Sequence, residues 1–247
     1  MKFRHLLLLT SLSLLAAPLA AQDATVAESA PKKLLAQTAC PISGGAIDKQ
    51  HFADYEGQRV YFCCPKCVKG FEQFPDKHLY GMYVAGIRPE STQSKCVVSG
   101  EPLETKENFV DVLNKRIYTC CGNCAKKVAK DPAKYLDQLE GRKAQKVCPV
   151  MGEAVDPEVS SVVQGQKVYY CCEGCDAKMK ADPGKYFATL AAKKMVTESV
   201  HTMCPVMQAE KVSPEYSVVY EGRRVRFCCD GCVKRFVKDP QKYLARL

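Results

Sequence analysis

All sixteen cysteines of this 247-residue chain fall into one pattern, repeated four times. Each copy contains a Cys-Cys-x-x-Cys stretch: Cys63-Cys64-Pro65-Lys66-Cys67, Cys120-Cys121-Gly122-Asn123-Cys124, Cys171-Cys172-Glu173-Gly174-Cys175 and Cys228-Cys229-Asp230-Gly231-Cys232. One further cysteine precedes each, at Cys40, Cys96, Cys148 and Cys204, with 22, 23, 22 and 23 residues between. Thiolates gathered at such convergent spacing bind soft or borderline ions, zinc(II) and copper(I) above all. The candidate ligands are Cys40, Cys63 and Cys67; Cys96, Cys120 and Cys124; Cys148, Cys171 and Cys175; and Cys204, Cys228 and Cys232.

The middle cysteines Cys64, Cys121, Cys172 and Cys229 are candidate fourth ligands. Neighbours in an extended strand point to opposite faces, so both members of a pair reach one ion only where the chain bends. Three thiolates suit copper(I); closure of a tetrahedron by the middle cysteine suits zinc(II). Met151 and Met207, three residues after their upstream cysteines, are further candidates; Ser43 and Ser99 hold that place in the first two copies. A methionine there serves equally well as an adaptable filler of the corner. His51, His78 and His201 occupy non-equivalent places, and His5 lies near the N-terminus, so surface or packing roles are expected for them.

The elements that must position these thiols repeat too. First comes a corner of the type Cys148-Pro149-Val150-Met151-Gly152. Two β-type runs around a turn follow, with Gly57, Asn114, Gly165 and Gly222 at equivalent turn positions, which predicts a hairpin. The second strand runs into the double cysteine. The last cysteine is expected in the first turn of a helix, where the helix dipole favours a thiolate. Phe71, Val128, Met179 and Phe236 sit four residues beyond it as core residues. Asp131-Pro132, Asp182-Pro183 and Asp239-Pro240 start a second short helix, with Asp as N-cap and Pro at its first position. Phe74-Pro75 replaces that pair in the first copy, so a weaker start is expected there.

The fold class that follows is small α+β metal-stabilised modules, each with a Cys corner, a β-hairpin and one or two short helices. They span residues 40–83, 96–140, 148–192 and 204–247, joined by polar linkers. A unit of about 45 residues buries too little apolar surface to be comfortable alone, so metal or disulfide stabilisation is expected. Each module closes its own site and is expected to unfold by itself.

This order of signals resembles the TRASH/YHS class of treble-clef-like metal-binding modules. The third copy carries it most fully, in Cys148-Pro149-Val150-Met151-Gly152, Tyr169-Tyr170-Cys171-Cys172-Glu173-Gly174-Cys175 and Asp182-Pro183-Gly184-Lys185-Tyr186. The resemblance implies a treble-clef or zinc-ribbon-like fold and a part in heavy-metal sensing, trafficking or resistance, or in structural zinc binding. Members with four clear ligands often carry a second cysteine three residues after the first, where this chain has Ser43, Ser99, Met151 and Met207.

Residues 1–21 read as a secretory signal peptide, with Lys2, Arg4 and His5 before the apolar run Leu6 to Ala17 and small residues at the cleavage site. Residues 22–39 read as a flexible tether. No later stretch approaches the about 20 apolar residues of a membrane span. Export to a periplasmic or extracellular location is expected. The net charge is +9 and falls to about +7 without Lys2 and Arg4; helix faces such as Ala125-Lys126-Lys127 account for it, and no nucleic acid is expected as a partner.

The expected function is exported binding, buffering or trafficking of heavy metal, copper or zinc, about one ion per module and without catalysis. The expected partners are metal ions and a protein that delivers or receives them. Two other classes stand beside it. Four cysteines per unit also make a disulfide-stapled interaction module, although adjacent cysteines bridge each other only with strain. Cys-x-x-Cys at a helix start also occurs in thiol–disulfide oxidoreductases, but no βαβ context surrounds it here.

Overall fold

The computed structural model describes residues 34–247, so the expected signal peptide and the tether up to residue 33 lie outside the described residues. Four antiparallel hairpins carry the repeat: Asp48–Tyr55 with Gln58–Phe62, Phe109–Val112 with Lys115–Tyr118, Asp156–Val163 with Gln166–Tyr170, and Ser213–Tyr220 with Arg223–Phe227. Each closes through two residues. Glu56-Gly57, Gln164-Gly165 and Glu221-Gly222 have positive φ at both positions, the turn whose twist matches a hairpin. In the second strands every other residue points inward, as with Val60 and Phe62 or Val168 and Tyr170.

Two helices follow each hairpin. The first are Pro65–Gln73, Gly122–Lys130, Gly174–Ala181 and Asp230–Lys238, and each carries the last cysteine of its module in its first turn. Phe71, Val128, Met179 and Phe236 on these helices are all buried against the hairpin. The second helices are Pro75–Val84, Pro132–Glu140, Pro183–Ala192 and Pro240–Leu244. Asp131, Asp182 and Asp239 cap them by accepting the N–H of Lys134, Lys185 and Lys242. Phe74 supplies no such cap, as its side chain dictates, and is itself exposed. The helix forms nevertheless, anchored by buried Leu79, Met82 and Tyr83. The architecture is thus mixed α and β, with small sheets, short helices and one cysteine cluster per repeat.

The linkers are not loose. Leu35–Ala36 pairs in parallel with Ile87–Arg88, and Lys143–Ala144 with Met195–Val196. Glu90–Ser91 adds a third strand to the first hairpin, and Glu198–Ser199 does the same to the third. The hairpin turns dock across modules. A Cβ on Gly57 would stand 3.1 Å from Leu139 of module 2, while Asn114 of module 2 donates to the Leu79 carbonyl of module 1. Gly222 of module 4 lies against module 3 so closely that a Cβ would meet the Phe187 carbonyl at 2.9 Å, and Gly165 of module 3 faces His201 and Leu247 of module 4.

Charges fill these joints. Glu56 pairs with Lys115 and Arg142, and both cations also pair with Glu140, which is 1% exposed. Arg224 of module 4 pairs with Asp137 of module 2, Tyr83 of module 1 donates to Asp230, and Tyr80 donates to the Val219 carbonyl. Tyr83 lies in the core of module 4 itself, with Tyr80 and Leu113 packed against it. The described residues accordingly form one compact unit, with side chains shared between the modules.

Candidate metal centres

Each site begins at a tight corner. The Cys40 N–H donates to the Gly45 carbonyl at 2.8 Å and the Gly44 N–H donates back to the Cys40 carbonyl at 2.9 Å. Cys96, Cys148 and Cys204 repeat this. The residue that turns the corner has positive φ in every copy, at Gly44, Gly100, Gly152 and Gln208. The corner buries the upstream cysteine and faces it toward the end of the second hairpin strand.

A side chain missed by the sequence reading locks that approach. The carboxamide of Gln37 donates to the Ala39 and Tyr61 carbonyls and accepts from the Tyr61 N–H. Gln93 does the same with Lys95 and Tyr118, and Gln145 with Val147 and Tyr169. One amide thereby splices the segment before the corner to the strand that ends in the double cysteine. In module 4 the equivalent residue is His201, whose Nε2 faces both the carbonyl and the N–H of Arg226 at 3.2 Å. The signal was a residue three before each upstream cysteine: Gln, Gln, Gln, His. Thus His201 has a repeat position after all, as a clamp.

The splice brings the thiols together. Cys40, Cys63 and Cys67 have sulfurs within 4.8 Å of one another, and so do Cys96, Cys120 and Cys124; Cys148, Cys171 and Cys175; and Cys204, Cys228 and Cys232. Within the strand-to-helix bend of modules 1 and 4 both members of the pair turn to the same side. Cys63 and Cys64 sulfurs are 3.8 Å apart, and Cys64 lies 3.7 Å from Cys67. Cys228 and Cys229 are 3.9 Å apart, and Cys229 and Cys172 each lie 3.6 Å from the last cysteine of their module. The edge of a tetrahedron built on zinc–sulfur bonds of about 2.3 Å is about 3.8 Å, so these separations suit bound metal.

Protons are unevenly shared in each cluster. Burial pushes the Cys40 thiol up, but the Ser43 hydroxyl and the N–H groups of Ser43, Cys63 and Ile42 outweigh it and bring it to about 6. Cys96 is lowered to about 6 against the same burial, by Ser99 and by the N–H groups of Cys120, Ser99 and Val98. Cys148 and Cys204 are buried yet also lowered, by corner N–H groups. The last cysteine behaves differently from expectation. Burial, followed by the neighbouring thiols, pushes Cys67 and Cys124 up to about 12, and Cys175 and Cys232 also rise. Desolvation and thiol neighbours thus outweigh the helix dipole there. The helix N–H groups act instead on the middle cysteine, where those of Cys67 and Cys124 lower Cys64 and Cys121.

The residue three after the upstream cysteine divides the modules in two. Ser43 Oγ lies 3.2 Å from Cys63 Sγ and Ser99 Oγ 3.5 Å from Cys120 Sγ. Met151 and Met207 are 55% and 48% exposed, so they do not fill the corner. His51 lies by Asp48 and His78 against Phe71, each outside the clusters of thiols.

No family model matches the chain, and comparison with curated proteins and with solved structures finds no match. What the geometry defines is a chain of four repeats with one three-cysteine cluster each, every cluster able to hold a metal ion.

Proposed function

We propose that this is an exported, non-catalytic protein that binds, buffers or carries heavy metal, copper(I) or zinc, as one ion per cluster. The observation that carries this reading is the buried trio of sulfurs, all within 4.8 Å of one another, built four times from distant chain segments. A disulfide needs two sulfurs; three that converge on one point serve a cation. The corner, hairpin and helix order supports a TRASH/YHS-type, treble-clef-like module. Among the described residues no helix is long and apolar enough to cross a membrane. The expected leader at residues 1–21 is the ground for export. A metal-delivering or metal-receiving protein is the partner this role requires.

Native mass spectrometry of the reduced chain, reconstituted anaerobically with zinc(II) or with copper(I), tests the proposal. One ion per cluster is expected. Fewer than about one ion per module with either metal overturns it.

A further inference from the structure

In modules 1, 3 and 4 the middle sulfur lies 3.6 or 3.7 Å from the last cysteine of the trio. Cys64, Cys63 and Cys67 sulfurs form a nearly equilateral triangle with edges of 3.8, 3.7 and 3.7 Å. Cys229, Cys228 and Cys232 form another, with edges of 3.9, 3.6 and 3.5 Å. The centre of such a triangle lies about 2.2 Å from each sulfur, close to a metal–thiolate bond length. Cys40 and Cys204 are buried, whereas Cys121, Cys172 and Cys229 are exposed and Cys64 is half-buried. No middle sulfur joins its upstream cysteine's trio as a fourth member within 4.8 Å. Modules 1 and 4 therefore each hold two three-thiol triangles that share one edge. The inner one is completed by the upstream cysteine, the outer one by the middle cysteine.

Resting on the metal-binding reading above, the geometry points to Cys64, Cys121, Cys172 and Cys229 as entry and exit ligands for a soft monovalent cation carried by a thiol donor. The outer triangle receives the ion, which then reaches the inner triangle by exchanging a single ligand. In module 4 the ion's bonds to donor thiolates break one at a time as its bonds to Cys229, Cys228 and Cys232 form; each of these three gives any proton it holds to water, and each departing thiolate takes one up. Next the bond to Cys204 forms and the bond to Cys229 breaks, while Cys228 and Cys232 stay bound throughout. Cys204 gives up any proton it holds, and Cys229 takes one from water. No electrons move and the oxidation state of the ion is unchanged. The shared edge makes the path short, and burial of Cys204 makes the inner triangle the resting place.

The expectation concerns rate rather than stoichiometry. Cys64, Cys121 and Cys229 are helix N-caps, and serine is a favoured N-cap, so Cys→Ser there preserves the fold. The experiment compares the full chain with its C64S/C121S/C172S/C229S variant. Copper(I) is supplied as its glutathione complex and withdrawn with bicinchoninate under anaerobic stopped flow. The variant is expected to keep one ion per cluster by native mass spectrometry, while uptake and withdrawal slow by about tenfold or more. Unchanged rates overturn the inference, and so does loss of ions from the variant, which would make the middle cysteine an obligatory ligand. Cys232→Ser is the internal control and should lose one ion. If the unaltered chain itself takes up no ion, the metal-binding proposal falls, and this inference with it.

Discussion

The carboxamide of Gln37 pairs with both backbone groups of Tyr61, donating to its carbonyl at 2.6 Å and accepting its N–H at 3.0 Å. It does for one residue what a neighbouring strand would do, 24 positions away in sequence, and it fixes the distance between Cys40 and Cys63. The same splice at Gln145 ties Val147 to Tyr169 beside the third cluster. Gln145→Ala would leave the Tyr169 N–H and carbonyl without this partner. A loss of about 1–3 kcal/mol is expected by chemical denaturation. A weaker hold on the third ion should accompany it, because Cys171 follows Tyr169 by two residues. Unchanged stability would mean that water replaces the amide freely.

Module 4 uses His201 for this purpose, and the substitution has a pH signature. One imidazole nitrogen faces both Arg226 backbone groups, so it satisfies one at a time. Burial, the largest influence, lowers the affinity of His201 for protons; the Arg226 carbonyl works in the other direction. The unfolded chain then binds the proton more readily than the folded one. Stability contributed by neutral His201 is complete above the unfolded value of about 6.5 and is lost as pH falls through the folded value. His201→Gln supplies an amide that pairs with both groups and cannot titrate. The variant should match or exceed the parent at pH 8, and its advantage should grow at pH 5. An advantage that does not change with pH would sink this account.

Much of each module was legible because its signals are local. Gly57, Gly165 and Gly222 announce hairpin turns, Asp131 and Asp182 announce caps, and the place four residues beyond the last cysteine marks Phe71 and Phe236. The cysteine trios followed from spacing alone. The direction of the middle cysteines did not, since it depends on a bend between Phe62 and Pro65 that spacing cannot specify. The splice escaped because glutamine carries no signal of its own beyond its place three before a cysteine. The joints between modules were the least legible. Lys115, Arg223 and Arg224 look in sequence like the solvated side of a hairpin and Arg142 like part of a polar linker, and the fold covers them at the joints. Glycines chosen for turn geometry also serve these joints, because a bare Gly222 lets Phe187 and Leu190 of module 3 approach.

The joint between modules 1 and 2 is expected to make the chain unfold cooperatively. Glu140 is almost wholly enclosed and lies between Lys115 and Arg142, which also hold Glu56 from module 1. Burial is the dominant influence on Glu140 and raises its affinity for protons, while the two cations oppose it. Glu140→Ala removes one side of this network and leaves two cations facing Glu56 alone. Breaking a buried ion network in this way costs about 3–5 kcal/mol. The loss should appear as a shift of one common unfolding transition. Two separate transitions, with modules 3 and 4 untouched, would show that the joints do not couple the modules.

Metal affinity should depend on pH in two regimes. Folded Cys40 is lowered to about 6 from an ordinary value near 9, so above about 6 it is already a thiolate. Cys67 is raised to about 12 by burial and by its thiol neighbours, so it keeps its proton through neutral pH and the ion must displace it. Between about pH 6 and 9 the logarithm of the apparent binding constant should therefore rise by at least one for each pH unit. Below about 6 Cys40 also holds a proton, and the slope should steepen by a further unit. Folding of the metal-free chain feels the two groups oppositely. Stability from Cys40 is complete above about 9 and is lost as pH falls toward 6, whereas that from Cys67 is complete below 9 and is lost as pH rises toward 12. Competition against a chelator of known proton affinity, repeated from pH 5 to 9, reads the two slopes directly. Ser43→Ala gives the decisive contrast. Without the hydroxyl beside Cys40 and Cys63, the break in slope at the first site should move to higher pH, while the sites beside Met151 and Met207 should not respond.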